Sequence, residues 1–199
     1  MIVSSISLQN GKQTMKPTSI TSDSRLFRCR RDLATHCAGL LGPRASICEV
    51  GVRRGDFSIE LLEVFHPSQL LLVDIDISQI YKSVSDHPMV KVVKGISWEV
   101  LAGLPDDSLD YLYVDGDHSL KGIHEDVKVA HLKVRPGGII QFNDYTNWSV
   151  MERLEYGVLE VVNNYIESND AQVVGLALER AGYHDIAIRV KVPSVLNYP

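Results

Sequence analysis

Basic blocks, long apolar runs, paired cysteines and aromatic residues are all scarce in this chain of 199 residues. Lys and Arg number 20 against 25 Asp and Glu, a formal net charge of −5, and no stretch concentrates the positive charge. Gripping nucleic acid through its phosphates needs such a concentration, so no nucleic-acid partner is expected. No apolar run approaches the ~20 residues that span a bilayer. The start lacks a charged segment followed by an apolar core, so neither export nor a membrane partner is expected. Cysteine occurs at positions 29, 37 and 48 only, an odd number in no zinc-like spacing. These read as free thiols in a reducing compartment, which makes the expected location cytoplasmic. No internal repeat or low-complexity linker divides the chain. Core material is ample, with 45% hydrophobic residues, and the length suits one domain.

The chain is organised around Ile47-Cys48-Glu49-Val50-Gly51-Val52-Arg53-Arg54-Gly55-Asp56-Phe57-Ser58. A short apolar run ends beside an acid, two glycines follow four residues apart, and an amphipathic segment begins (Phe57, Ile59, Leu61, Leu62, Val64, Phe65). This reads as strand, tight turn and helix, and such a turn is where doubly wound α/β folds bind a ligand. Upstream, residues 1–23 lack periodicity and read as a tail or a lid, with 24–199 as the single domain. From Ser24 the spacing of Leu26, Leu33, Cys37, Leu40 and Leu41 predicts a helix ended by Gly42-Pro43. Cys29, His36 and Cys37 lie on or near it without a fourth ligand, so core packing is the reading there.

Downstream, Gln69 to Asp74 is a continuous apolar run closed by an acid, the signature of a buried parallel strand. Asp74 lies where nucleotide-binding folds place a ribose-binding carboxylate. A short helix (Ser78 to Ser85) leads to a third strand, Met89 to Lys94, and then to Gly95-Ile96-Ser97-Trp98. Ile96 and Trp98 suit the faces of a flat heterocycle and equally suit packing of the next helix. Strand four, Leu109 to Val114, delivers Asp115-Gly116-Asp117-His118, three ionisable side chains at a strand end, which suits a metal or proton-transfer site. The helix from Ser119 carries His124 and His131, expected at the surface or rim. A sharp turn, Val134 to Gly138, enters strand five, Ile139 to Phe142, which ends in Asn143-Asp144-Tyr145. A helix over Val150 to Ile166 follows, then two β-rich runs, Gln172 to Leu178 and Tyr183 to Val192, as an antiparallel hairpin on the sheet edge.

Together, Glu49-x-Gly51-x-x-x-Gly55, Asp74, Gly95 to Trp98, Tyr113 to Ser119 and Arg135-Pro136-Gly137-Gly138 with Asn143-Asp144-Tyr145 resemble the class I S-adenosylmethionine-dependent methyltransferases. Within them, the elements around Asp117 and Asn143 are most similar to small bacterial enzymes related to macrocin-type sugar O-methyltransferases. The resemblance covers about Ser46 to Lys191. It implies a Rossmann-like α/β fold with a seven-stranded, mostly parallel sheet and a C-terminal antiparallel hairpin. It implies that Glu49, Gly51 and Gly55 face the methionine part of the cofactor, with Val52, Arg53, Ile75 and Asp115 also in contact. Asp74 would hold the ribose, and Ile96, Ser97 and Trp98 would border the adenine. Asp115, Asn143 and Asp144 match the Mg²⁺ ligands of cation-dependent members, although most relatives have Asp at position 143, a change that weakens a hard-cation site. Asp117, or else His118, would act as general base.

The expected reaction is methyl transfer to a hydroxyl of a small acceptor, a sugar or a phenol, assisted by a divalent cation. The alternatives are a metal-independent methyltransferase, in which Asn143 and Asp144 hydrogen-bond the acceptor, and a cofactor-binding protein without turnover. A nicotinamide-dependent dehydrogenase is disfavoured because Val52 and Arg53 stand where a second glycine would fall. A homodimer through the first helix or the edge hairpin is compatible with the pattern.

Overall fold

A computed structural model describes residues 23–179 and 182–191. Its main sheet has eight strands: β1 (Arg25–Phe27), β2 (Ser46–Val50), β3 (Gln69–Asp74), β4 (Val90–Lys94), β5 (Leu109–Val114), β6 (Val134–Phe142), β9 (Gln172–Ala177) and β10 (Asp185–Arg189). Their spatial order is β1-β9-β10-β6-β5-β2-β3-β4. All neighbours run parallel except β10, which is antiparallel to both β6 and β9. This is the mostly parallel, Rossmann-like sheet that the motifs imply, with one strand more than expected.

Helices cover both faces, as a parallel sheet requires. On one face α1 (Arg30–Leu41), α2 (Asp56–Phe65) and α3 (Lys82–Ser85) bury Leu33, Cys37, Phe57, Leu61 and Val84 against Ile47, Tyr111 and Tyr113. On the other, α4 (Ser97–Ala102), α5 (Leu120–Lys133) and α6 (Val158–Asn169) bury Leu101, Ile123, Val127 and Val161 against Cys48, Val50 and Leu112. The alternation along β2 and β5 follows from the two-residue period of a strand. The three cysteines are free. No described helix is long and apolar enough to cross a membrane.

Several local expectations are corrected. The segment from Ser24 opens as β1, not helix, because Arg25–Phe27 pairs in parallel with Gly175–Ala177. Phe27 packs so close to Gly175 that a Cβ there would lie 2.6 Å from its ring. The β9–β10 hairpin therefore lies inside the sheet, with β1 outside it. The Ser78 to Ser85 helix is split into a 3₁₀ turn, Ile77–Gln79, and α3. The strand expected from Ile139 begins at Val134. The helix expected from Val150 is instead a small antiparallel hairpin, β7 (Trp148–Ser149) and β8 (Leu154–Glu155), and α6 starts only at Val158. Arg153, at φ 59°, turns that hairpin in a left-handed conformation closed to a helix. His131 is not at the rim: it is 5% exposed, and its Nδ1 lies 2.7 Å from the Tyr165 hydroxyl. The tail or lid expected over 1–23 lies, but for Asp23, outside the described residues.

Candidate functional site

The carboxyl ends of β2 to β6 are locked to one another by backbone hydrogen bonds. Gly51 N–H donates to Val73 O, Asp115 N–H to Val50 O, Asn143 N–H to Val114 O and Gly95 N–H to Asp74 O. Gly51 is required by this contact: at φ 81°, a Cβ on it would stand 1.8 Å from the Asp115 carbonyl oxygen. Above these ends lies a cleft of about 740 Å³, within the usual ~300–1,000 Å³ of a small-molecule site.

Most of the expected residues meet in this cleft. Gly51, Arg53, Asp74, Ile75, Ile96, Ser97 and Trp98 line the half expected to take the cofactor, and Asp115, Asp117, His118, Asn143 and Asp144 line the other. Glu49, Val52 and Gly55 are not on the wall. Glu49 is 1% exposed beneath it and accepts a hydrogen bond from Ser58 Oγ at 2.5 Å; burial pushes its carboxyl up to about 8. Asp74 serves the turn itself: Oδ2 accepts from Val52 N–H (2.7 Å) and Arg53 N–H (2.8 Å), and Oδ1 accepts from Asp76 N–H (2.8 Å). A carboxylate oxygen has two acceptor positions, so Oδ1 keeps one for a ribose hydroxyl. Ile75 and Ile96 stand open to solvent, 69% and 37% exposed, although both are apolar. An open apolar pair beside a carboxylate fits the adenosine part of S-adenosylmethionine.

The other half is a compact ionisable cluster. His118 Nε2 lies 3.5 Å from Asp115 Oδ1 and 3.9 Å from Asp144 Oδ2, with no hydrogen-bond partner of its own. Its ring stacks on Tyr156, 4.7 Å between centroids and 11° between planes. Burial lowers the His118 pKa, and burial with the neighbouring Asp144 raises that of Asp115 well above the carboxylate range. Asp144 is raised by burial too, and its backbone sits in the left-handed region, φ 51°. Asp117 is more exposed: its Oδ1 accepts Ser119 N–H at 2.9 Å, and Ser119 caps the next helix, its Oγ accepting Gly122 N–H at 3.1 Å.

Two of the expected Mg²⁺ ligands are hydrogen-bonded to each other. The Asn143 amide turns its Nδ2 to donate to Asp115 Oδ1 at 2.9 Å, and its Oδ1 accepts from the Tyr113 hydroxyl at 3.2 Å. An amide N–H aimed at Asp115 is the wrong group for a hard cation, which needs converging oxygens. Among the described residues, no group of three or more His, Cys, Asp and Glu side chains is arranged to hold a metal.

Sequence reasoning missed the residues behind this arrangement. The single Tyr113 hydroxyl proton is shared between Asn143 Oδ1 and Asp185 Oδ2 (3.1 Å), and the latter also accepts from Gln141 Nε2 (2.9 Å). Arg30 donates to the Tyr113 hydroxyl at 3.3 Å and reaches within 4.0 Å of Asp115. Asp185 is fully buried and its carboxyl is pushed up to about 7. Asp126, also fully buried, lies behind Gly116 and Ser97, and burial moves it up to about 6. Glu152 and Tyr156, joined by a 2.8 Å hydrogen bond, complete the cleft.

Residues 48–145 match the family model described as a methyltransferase domain. No curated protein matches the chain. Among solved structures, the N-methyltransferase NodS from Bradyrhizobium japonicum in complex with S-adenosyl-L-homocysteine is similar at TM-score 0.61 and 12% identity, covering 81% of this chain and 85% of that one. The precorrin-6y C5,15-methyltransferase of Geobacter metallireducens gives TM-score 0.59 and 16% identity, covering 81% and 87%. A Corynebacterium glutamicum protein gives TM-score 0.61 and 13% identity, covering 83% of each chain. The chain spans about half the length, 47%, of a type II methyltransferase candidate from Anaeromyxobacter dehalogenans. These structural likenesses carry the fold, and the family match adds that residues 48–145 of this Rossmann-like fold are a methyltransferase domain.

Proposed function

We propose that the protein transfers a methyl group to a hydroxyl of a small acceptor, such as a sugar or a phenol, without the help of a divalent cation. The observation that carries this reading is His118 Nε2, buried and unpartnered between Asp115 and Asp144. S-adenosylmethionine, when bound, supplies an activated methyl on a sulfonium. The chain's tasks are then to align the acceptor and to take its proton. Asp115 and Asp144 border the cleft and can hold the hydroxyl, and the released proton passes into the Asp115–His118–Asp144 group. Because burial lowers the His118 pKa, its imidazole is neutral and able to accept a proton at neutral pH. Activity is therefore present above that lowered pKa and lost as pH falls through it. Asp117, the other candidate base, is exposed and has one oxygen held by Ser119 N–H.

The test is His118→Gln, followed by S-adenosylhomocysteine formation with a panel of phenols and sugars in the presence of EDTA. Turnover should fall by ~10²–10⁴-fold, the usual share of a general base, with S-adenosylhomocysteine affinity within about threefold of wild type, as expected of a base that does not hold the cofactor. Turnover that survives the substitution, or that vanishes from the wild type in EDTA, would overturn the proposal.

A further inference from the structure

A second pocket, of about 300 Å³, opens at the far end of the sheet from the cleft and shares no residue with it. β1 and β9 start at this end, and antiparallel β10 finishes there. Arg25, the first residue of β1, and Arg189, the last of β10, therefore come to one place, where His36 of α1 joins them. Leu40 and Val174 add apolar surface to the wall, and Asp23, exposed, is the single acid in the lining.

The cations here lack the partners given to Arg30, which is bonded to Tyr113 beside Asp115, and to Arg135, which is paired with Asp110. Among the described residues, neither the Arg25 nor the Arg189 side chain makes a hydrogen bond or an ion pair, and Arg189 Nε is buried without an acceptor. Burial, and after it the charges of Arg25 and Arg189, lower the His36 pKa, so both guanidinium groups are felt at its ring. A buried donor without an acceptor and like charges around one small space are both costly. An anion relieves both. We infer that this pocket binds a phosphate group, free or carried on a small metabolite, between Arg25, Arg189 and His36. A planar carboxylate matches one guanidinium fork, whereas a tetrahedral phosphate has oxygens for two forks and an imidazole delivered by three separate elements. Leu40 and Val174 then border whatever carbon chain the phosphate carries.

The experiment is calorimetric titration of the full chain at pH 7 in about 0.15 M NaCl, where chloride competes and loose surface attraction is screened. Inorganic phosphate, glycerol 3-phosphate and citrate are titrated separately. At least one of the two phosphates should bind at one site per chain, and more tightly than citrate. Arg25→Gln and Arg189→Gln should each weaken that binding by about 10- to 100-fold, the share of a charge-assisted hydrogen bond. Arg25 is exposed, so its substitution leaves the core intact and carries the test even if Arg189→Gln fails to fold. Tighter binding of glycerol 3-phosphate assigns the pocket to a phosphorylated metabolite, and tighter binding of inorganic phosphate to the free ion; either supports the inference. It is overturned if neither phosphate binds, if citrate binds more tightly than both, or if phosphate binding survives Arg25→Gln. None of these outcomes depends on the methyltransferase reading, because the cleft and this pocket have no residue in common.

Discussion

Replacing Glu49 by Gln should make the protein less sensitive to alkali, and the size of the effect can be worked out. Glu49 is 1% exposed, and burial raises its carboxyl from 4.5 to about 8. The folded chain therefore holds this proton more tightly than the unfolded chain does. Stability from Glu49 is fully present below about pH 4.5 and declines as pH rises toward 8, at ~1.4 kcal/mol per pH unit. Over that window the loss is on the order of 5 kcal/mol, and about 3 kcal/mol of it falls below pH 7. Gln keeps the shape and an oxygen to accept the Ser58 hydrogen bond, but it cannot ionise. Its unpaired amide N–H adds a constant offset that does not depend on pH, so the slope is the diagnostic quantity. Urea unfolding of both proteins at pH 5, 7 and 9 provides the comparison. Asp126 and Asp185 titrate in the same range but are present in both chains, so they cancel in the difference. The Glu49→Gln protein should gain on wild type by several kcal/mol between pH 5 and 9. A difference that is flat or shrinks with pH would show that Glu49 is not held protonated.

Two further substitutions address the cleft. Asp74→Ala strips the acceptor from Val52, Arg53 and Asp76 N–H; in a turn partly open to water this should cost ~1–3 kcal/mol of stability. The glycine turn loosens with it, so S-adenosylhomocysteine affinity measured by calorimetry should drop about tenfold or more, and unchanged affinity would refute the assigned cofactor half. Asn143→Asp replaces the amide donor facing Asp115 with a third carboxylate. Mg²⁺ should then raise the melting temperature of the variant and leave that of the wild type in place; equal stabilisation of the wild type would refute the reading of Asn143 as a donor.

Legibility of this fold in the sequence tracks the range of the interactions. β2, β3 and β5 are apolar runs ended by polar residues within a few positions, so their ends and the cleft above them could be read locally. Asp74, Ile96, Ser97, Asp115 and His118 come to one place because parallel strands deliver their carboxyl ends side by side. β1 could not be read this way: three residues with helical-looking spacing become a strand only because Gly175, far along the chain, leaves room for Phe27. The same holds for Arg30 and Asp185, which lie 83 and 72 positions from the tyrosine they share. His131, polar and placed on an outward-looking helix, is buried by its contact with Tyr165. The β7–β8 hairpin hid for a different reason, since its apolar residues match a helix face yet Trp148, Val150, Met151 and Leu154 are all exposed.

The asparagine at position 143 reads from sequence as a weakened metal ligand, and in the structure its amide makes two hydrogen bonds. Its amide bridges Tyr113 and Asp115, and Tyr113 in turn is tied to Asp185 and Arg30. With Asp115, Asp144 and His118 so close together, like charges would repel unless protons or donors intervened. An amide N–H is such a donor, and an aspartate would add repulsion in its place. The half-buried guanidinium of Arg30, 4.0 Å from Asp115, supplies positive charge beside these carboxyl groups. The site thus keeps two carboxyl groups around an unpartnered imidazole by means of an amide and an arginine. Asn143 and Arg30 thus both act on Asp115, and Arg30→Leu should weaken the site in the same direction as the loss of the Asn143 amide.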